Sequence, residues 1–195
     1  FWSFQPLSRF ERTNSKSDSN SLMKEADWAN GQIDRFILAG LSAKGLPPSK
    51  PADRLTLLRR ATFDLTGLPP TESEIRAFLA DHSAEAFSKV IDRLLASPRY
   101  GEKWGRHWLD VARYADSTGN DEDHRYPHAW RYRDYVIDAF NQDLPYHQFV
   151  REQVAGDLLP AEDGSEVNRR GIIATGLLAI GPKALAQQDK ARMLY

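Results

Sequence analysis

Apolar residues at helical spacing, cut at intervals by proline and glycine, constrain this chain more than any other feature. Phe87, Val90, Ile91, Leu94 and Leu95 stand at i, i+3, i+4, i+7 and i+8 and stop at Pro98, which places them on one stripe of an amphipathic helix. The same period recurs at Ile33, Phe36, Ile37 and Leu41, ahead of Gly45 and Pro47-Pro48, and again at Leu55, Leu58 and Ala61, ahead of Gly67 and Pro69-Pro70. Pro51 lies where a first helical turn tolerates a missing N–H. Thr71-x-x-Glu74 is a capping box just before Ile75, Phe78 and Leu79, the Thr hydroxyl taking a helical N–H and the Glu returning to the cap N–H. Further helices are predicted at about 101–115, 128–142, 146–159 and 168–179, with Pro127, Pro145, Pro160 and Pro182 between or beyond them. Period-2 alternation of useful length is missing. The expected fold class is all-α, an irregular multi-helix bundle of about seven to nine helices with an extended N-terminal arm.

That arm is the aromatic strip 1–12, beginning "FWSFQPL". Residues 13–27 include "TNSKSDSNS", too polar to bury surface, and read as a flexible linker. Residues 28–195 then read as a single helical domain. The chain opens on Phe1-Trp2 without an initiator Met or a charged-then-apolar leader, as a mature product or an excised piece would.

Composition excludes several classes of function. No apolar run approaches the ~18 residues of a membrane-spanning helix. A formal charge of −1 gives no surplus of cations for phosphate neutralisation, so nucleic acid is not an expected partner. The absence of cysteine rules out disulfides, thiolate metal sites, cysteine nucleophiles and C-x-x-C-H haem attachment within these residues. Dinucleotide-binding, P-loop, nucleophile-elbow and H-E-x-x-H signatures are all missing.

The polar chemistry concentrates between Gly105 and Tyr135, "GRHWLDVARYADSTGNDEDHRYPHAWRYRDY", which holds three of the five histidines. Helical phasing puts Trp104, Trp108, Val111 and Ala115 on one stripe and His107, Asp110 and Tyr114 along its border. His107 and Asp110 are i and i+3, a spacing at which a carboxylate can orient an imidazole and raise its pKa. His107, Asp110, Tyr114 and Asp116 are therefore the candidate catalytic residues. Border residues of a buried helix also make such networks without catalysis, so the structural reading stands beside the functional one.

Asp116, Asp121, Glu122 and Asp123 offer hard oxygen donors. Thr118 and Asp121 break the EF-hand pattern, and a solvated acidic turn accounts for the loop. His124 and His128 are separated by Pro127 and need not share a helix face, so no metal site is assigned. Trp130, Arg133, Ile137 and Phe140 are expected to form a core face with an ion-pair fringe, rather than a base-stacking surface.

The blocks "FWSFQPL", "IDRFILAGLSAKGLPPS", "ADRLTLLRRATFDLTGLPPTESEI", "VIDRLLASPRYGEKWGRHWLDVARYADSTG", "AWRYRDYVIDAFNQDLPYHQFVREQVAGDLL" and "ATGLLAIGP" resemble a planctomycete cytochrome-c-associated domain family of unknown function. Domains of that family occur in large exported proteins, between a cytochrome c domain and a second partner domain. The resemblance implies an extracytoplasmic location, either periplasmic or cell-surface, and those two domains as partners within one polypeptide. The family pattern continues past "ARMLY" to a C-x-x-C-H element, so the resemblance implies a domain truncated at its C-terminal end. No cofactor is expected within this chain, and haem c is expected only in the full-length protein. His107, Asp110, Arg113, Tyr114 and Asp116 stand in the family's most recognisable motif. The expected function is the helical body of a redox or electron-transfer protein. A metal-assisted hydrolase or other enzyme acting on an exported carbohydrate-type substrate is one alternative, and a non-catalytic domain-docking module is another.

Overall fold

The computed structural model describes residues 31–119, 123–161 and 164–181. The expected arm over 1–12 and linker over 13–27 lie outside them. The described residues form eight α-helices, two short 3-10 turns and no strand, so the chain is all-α as the apolar spacing predicts. Contacts divide the chain into two compact units, residues 1–51 and 52–195.

The first unit contains α1 (Gln32–Ser42). The Asp34 carboxylate accepts the Gly31 N–H at 3.0 Å, covering one of the donors that a helix start leaves unpaired. At the other end Gly45 takes a left-handed φ of 66°, and the Leu41 carbonyl accepts the Leu46 N–H at 3.0 Å.

The second unit begins with α2 (Arg54–Thr66). Asp53 caps it by accepting from the Thr56 amide at 2.9 Å and the Thr56 hydroxyl at 2.7 Å. α3 (Glu72–Ala80) carries the capping box read from the sequence, Glu74 accepting the Thr71 N–H at 2.7 Å and Thr71 accepting the Glu74 N–H at 3.3 Å. In α4 (Ala86–Leu95), Ala86, Val90 and Leu94 are buried. They close a core with Leu58 of α2 and Phe78 of α3, each large side chain contributing on the order of 1.5–3 kcal/mol by leaving water. Arg54 lies 4.2 Å from the centre of the Phe78 ring and donates to the Phe78 and Asp81 carbonyls, closing the C-terminal end of α3.

α5 (Pro98–Val111) follows, with Ser97 as its cap and proline in its first turn. α6 (Ala129–Asn141), α7 (Tyr146–Ala155) and the short α8 (Arg169–Ala174) complete the set. Buried Tyr132, Tyr135, Val136 and Ala139 of α6, Phe149 of α7 and Ala174 of α8 form a second core. α5 meets α6 through glycine. A Cβ on Gly101 would collide with the Ile137 carbonyl, while the Gly101 N–H donates to the Asn141 side chain at 2.8 Å.

Two expectations about α5 are corrected. It begins at Pro98 rather than near 101 and ends at Val111 rather than 115. The reason for the early end is backbone geometry: Arg113 takes φ of 53°, a left-handed conformation that stops a right-handed helix. Val111, assigned to the core stripe, is instead 75% exposed.

Candidate functional site

The turn at Arg113 decides where the following residues go. The Tyr114 N–H bonds back to the Leu109 carbonyl at 2.9 Å. The Tyr114 ring stacks on Tyr132 of α6, with centroids 6.4 Å apart and planes inclined by 20°. Its hydroxyl donates to Asp116 Oδ1 at 2.6 Å. Burial first, and then the adjacent Asp116 carboxylate, push the phenol well above its ordinary value of 10. Tyr114 therefore keeps its proton at neutral pH, which suits a hydrogen-bond donor and not a general base.

Arg133 of α6 donates to Asp134 Oδ1 through Nε and Nη2 at 3.0 and 2.8 Å. The bond to Asp134, reinforced by the field of Tyr114 and Asp116, holds its guanidinium above its usual value. The structure thus brings Tyr114 and Asp116 together beside Arg133. His107 and Asp110 do not join them. Both are exposed, the His107 ring packs 5.3 Å from that of Trp104, and no hydrogen bond links the two side chains among the described residues. Their i, i+3 spacing holds, but that edge of α5 faces solvent.

After Asp116 the chain folds back on itself. Ser117 and Arg125 form an isolated antiparallel bridge, Thr118 N–H bonds the His124 carbonyl at 2.9 Å, and Tyr126 N–H bonds the Asp116 carbonyl at 2.8 Å. Asp121 and Glu122 lie outside the described residues. Asp123 accepts the Gly119 N–H at 3.3 Å. Among the described residues no three His, Asp or Glu side chains gather as metal ligands.

The buried face of α6 differs from the one expected. Trp130 is 46% exposed, and Ala129, Tyr132, Tyr135, Val136 and Ala139 point inward. The phase is shifted because Tyr132 and Tyr135 each find a polar partner for the hydroxyl while burying the ring. Trp130 instead lines a cleft of about 430 Å³, walled by Arg131, Asp134, Asp138, Arg170 and Ile173. The Arg131 guanidinium lies 5.5 Å from the Trp130 ring centre.

Beneath this cleft lies a polar layer that the sequence reading missed. Tyr135 donates to Glu152 Oε2 at 2.9 Å, Arg170 Nε donates to the same oxygen at 3.2 Å, and Gln148 donates to Glu152 Oε1 at 3.0 Å. Beside it, Gln153 Oε1 accepts from Trp108 Nε1 at 2.8 Å and from the Tyr132 hydroxyl at 2.5 Å. Glu152 and Gln153 are both buried. A signal existed: Phe149, Glu152 and Gln153 are i, i+3 and i+4, so two polar residues share the apolar face of α7. A cysteine-free chain cannot form the thioethers of haem c, so these residues do not fit that group.

The family described as PSCyt2, protein of unknown function (DUF1549), matches residues 32–194. No curated protein and no solved structure matches the chain.

Proposed function

Since this chain belongs to the PSCyt2 family, we propose that it is a non-catalytic docking module of a multi-domain, extracytoplasmic protein of planctomycete type. In this reading haem c belongs to a neighbouring cytochrome c domain, and the cleft around Trp130 receives that neighbour. The exposure of Trp130 carries the reading. A half-exposed tryptophan beside an apolar and charged cleft is the kind of anchor that dominates domain interfaces. The candidate catalytic residues support it by their arrangement, since His107 and Asp110 are exposed and Tyr114 holds its proton. The test is binding of the chain to the separately produced cytochrome c domain by calorimetry. Trp130→Ala is expected to weaken binding at least about tenfold, the loss typical of a central aromatic anchor. Equal affinity of the variant and the original chain contradicts the proposal.

A second reading, electron transfer through the helical body, is favoured by one observation. The rings of Tyr114, Tyr132, Tyr135 and Phe149 follow one another at centroid separations of 6.4, 6.3 and 6.0 Å. A photo-oxidant attached through Asp110→Cys should generate a tyrosyl radical whose yield falls in Tyr132→Phe. An unchanged yield counts against this reading.

A further inference from the structure

On the other side of the Glu152 layer, α7 and the start of α8 enclose a second cleft of about 280 Å³, lined by His147, Arg151, Glu152, Asn168 and Arg170 among others. Its chemistry is unbalanced. Arg170 spends Nε on Glu152 and Nη1 on Gln142, at 3.2 and 3.0 Å, and its guanidinium sits 5.4 Å from the centre of the Tyr135 ring. Its third nitrogen, Nη2, is buried and has no hydrogen-bond acceptor. A guanidinium N–H withdrawn from water without a partner is costly, more so than a neutral donor.

Glu152 is already committed. Its Oε2 accepts from both Tyr135 and Arg170 and its Oε1 accepts from Gln148. Asn168 is committed too: its Oδ1 accepts the Gly171 N–H at 2.8 Å, and its Nδ2 donates to the Gly156, Leu159 and Pro160 carbonyls. It pins the rim of the cleft and is not free for a ligand. Arg151 adds a second cation, which among the described residues takes part in no ion pair. Against the single carboxylate of Glu152, the two guanidinium groups leave the cleft with one net positive charge before His147 is considered.

We infer that this cleft binds a compact oxyanion, a carboxylate, phosphate or sulfate group, whose oxygens supply the acceptor that Arg170 Nη2 lacks and the counter-charge that Arg151 lacks. Arginine suits such a group because its planar fork matches two oxygens at once. The volume suits a small anion or the charged end of a larger ligand, being at or below the low end of ordinary ligand pockets. Arg170 borders both clefts, but His147 and Arg151 line this one and Trp130 lines the other, so Arg151→Gln and Trp130→Ala address the two separately.

The test is a chemical-shift titration of the whole chain with inorganic phosphate, sodium sulfate and sodium acetate at constant ionic strength, with sodium chloride as the reference. The three arms distinguish which oxyanion is preferred. At least one should give saturable shifts at α7 and at residues 168–170. Arg151→Gln should weaken that binding about tenfold, the value of one charge-assisted contact. Arg170→Lys keeps a cation beside Glu152 but lacks the third nitrogen, and should weaken it comparably while its circular dichroism stays that of the original chain. Trp130→Ala should leave it unchanged, which separates this result from the fate of the docking reading. Shifts no different from those of chloride in all three arms, or equal affinity in Arg151→Gln, overturn the inference.

Discussion

The hydroxyl of Tyr135 donates to the buried carboxylate of Glu152 at 2.9 Å, joining the core face of α6 to that of α7. Arg170 completes the contact from α8 by bonding the same oxygen and lying beside the same ring. Three helices are therefore tied at one carboxylate. Glu152→Ala should destabilise the chain by about 3 kcal/mol, because it strands a guanidinium and a phenol that were paired away from water. Glu152→Gln, which keeps an acceptor, should cost less. Urea unfolding measures both, and a cost below about 1 kcal/mol for the alanine variant would show that solvent already satisfies the layer.

Alkaline pH should act through the stacked tyrosines. Burial holds the Tyr132 phenol at about 12, and burial followed by the Glu152 carboxylate pushes Tyr135 well above 10. Folding thus favours the neutral phenols. Their contribution is complete below the unfolded value of about 10 and is lost as pH rises from there through the folded values. Ultraviolet titration should show Tyr114, Tyr132 and Tyr135 ionising only as the fold opens. All seven tyrosines ionising near pH 10 with the helical signal intact would contradict this.

Glycine at the α5–α6 contact gives a paired test. A Cβ at position 101 would meet the Ile137 carbonyl and the Asn141 amide, the latter at 2.6 Å, whereas at position 105 its nearest neighbours are the Cγ1 methylene of Ile137 and the Cγ1 methyl of Val136 at 3.4 and 3.5 Å. Gly101→Ala should cost about 2 kcal/mol through helix separation. Gly105→Ala should be neutral or stabilising by up to about 1 kcal/mol, since alanine is the better helix former. Thermal unfolding separates the two, and a reversed order would mean that the helices do not meet here.

His107→Ala and Asp110→Ala should each change stability by less than about 0.5 kcal/mol, as expected of exposed side chains that make no side-chain hydrogen bond among the described residues. Tyr114→Phe should cost roughly 1 kcal/mol through loss of the bond to Asp116. Equal losses at all three positions would restore the His107–Asp110–Tyr114 network that helical phasing suggested.

The helices were legible because their determinants are local. The Thr71–Glu74 box, the stop ahead of Pro98 and the Gly67 stop act within a turn or two of themselves. The sites were less legible because their partners are remote in sequence. Glu152 meets Arg170 eighteen residues later, and Trp108 meets Gln153 across forty-five. Val111 shows the same limit from the other side: its phase on α5 is apolar, but among the described residues it stays 75% exposed where the chain turns at Arg113. The Tyr114–Asp116 pair was within reach of sequence, being only two residues apart.

Hydroxyl-radical footprinting tests docking at the Trp130 cleft by comparing oxidation of Trp130 in this chain alone with that in the chain joined to the proposed cytochrome c domain. Docking there gives ready oxidation in the chain alone and strong protection in the joined protein. Equal oxidation of Trp130 in both would contradict it.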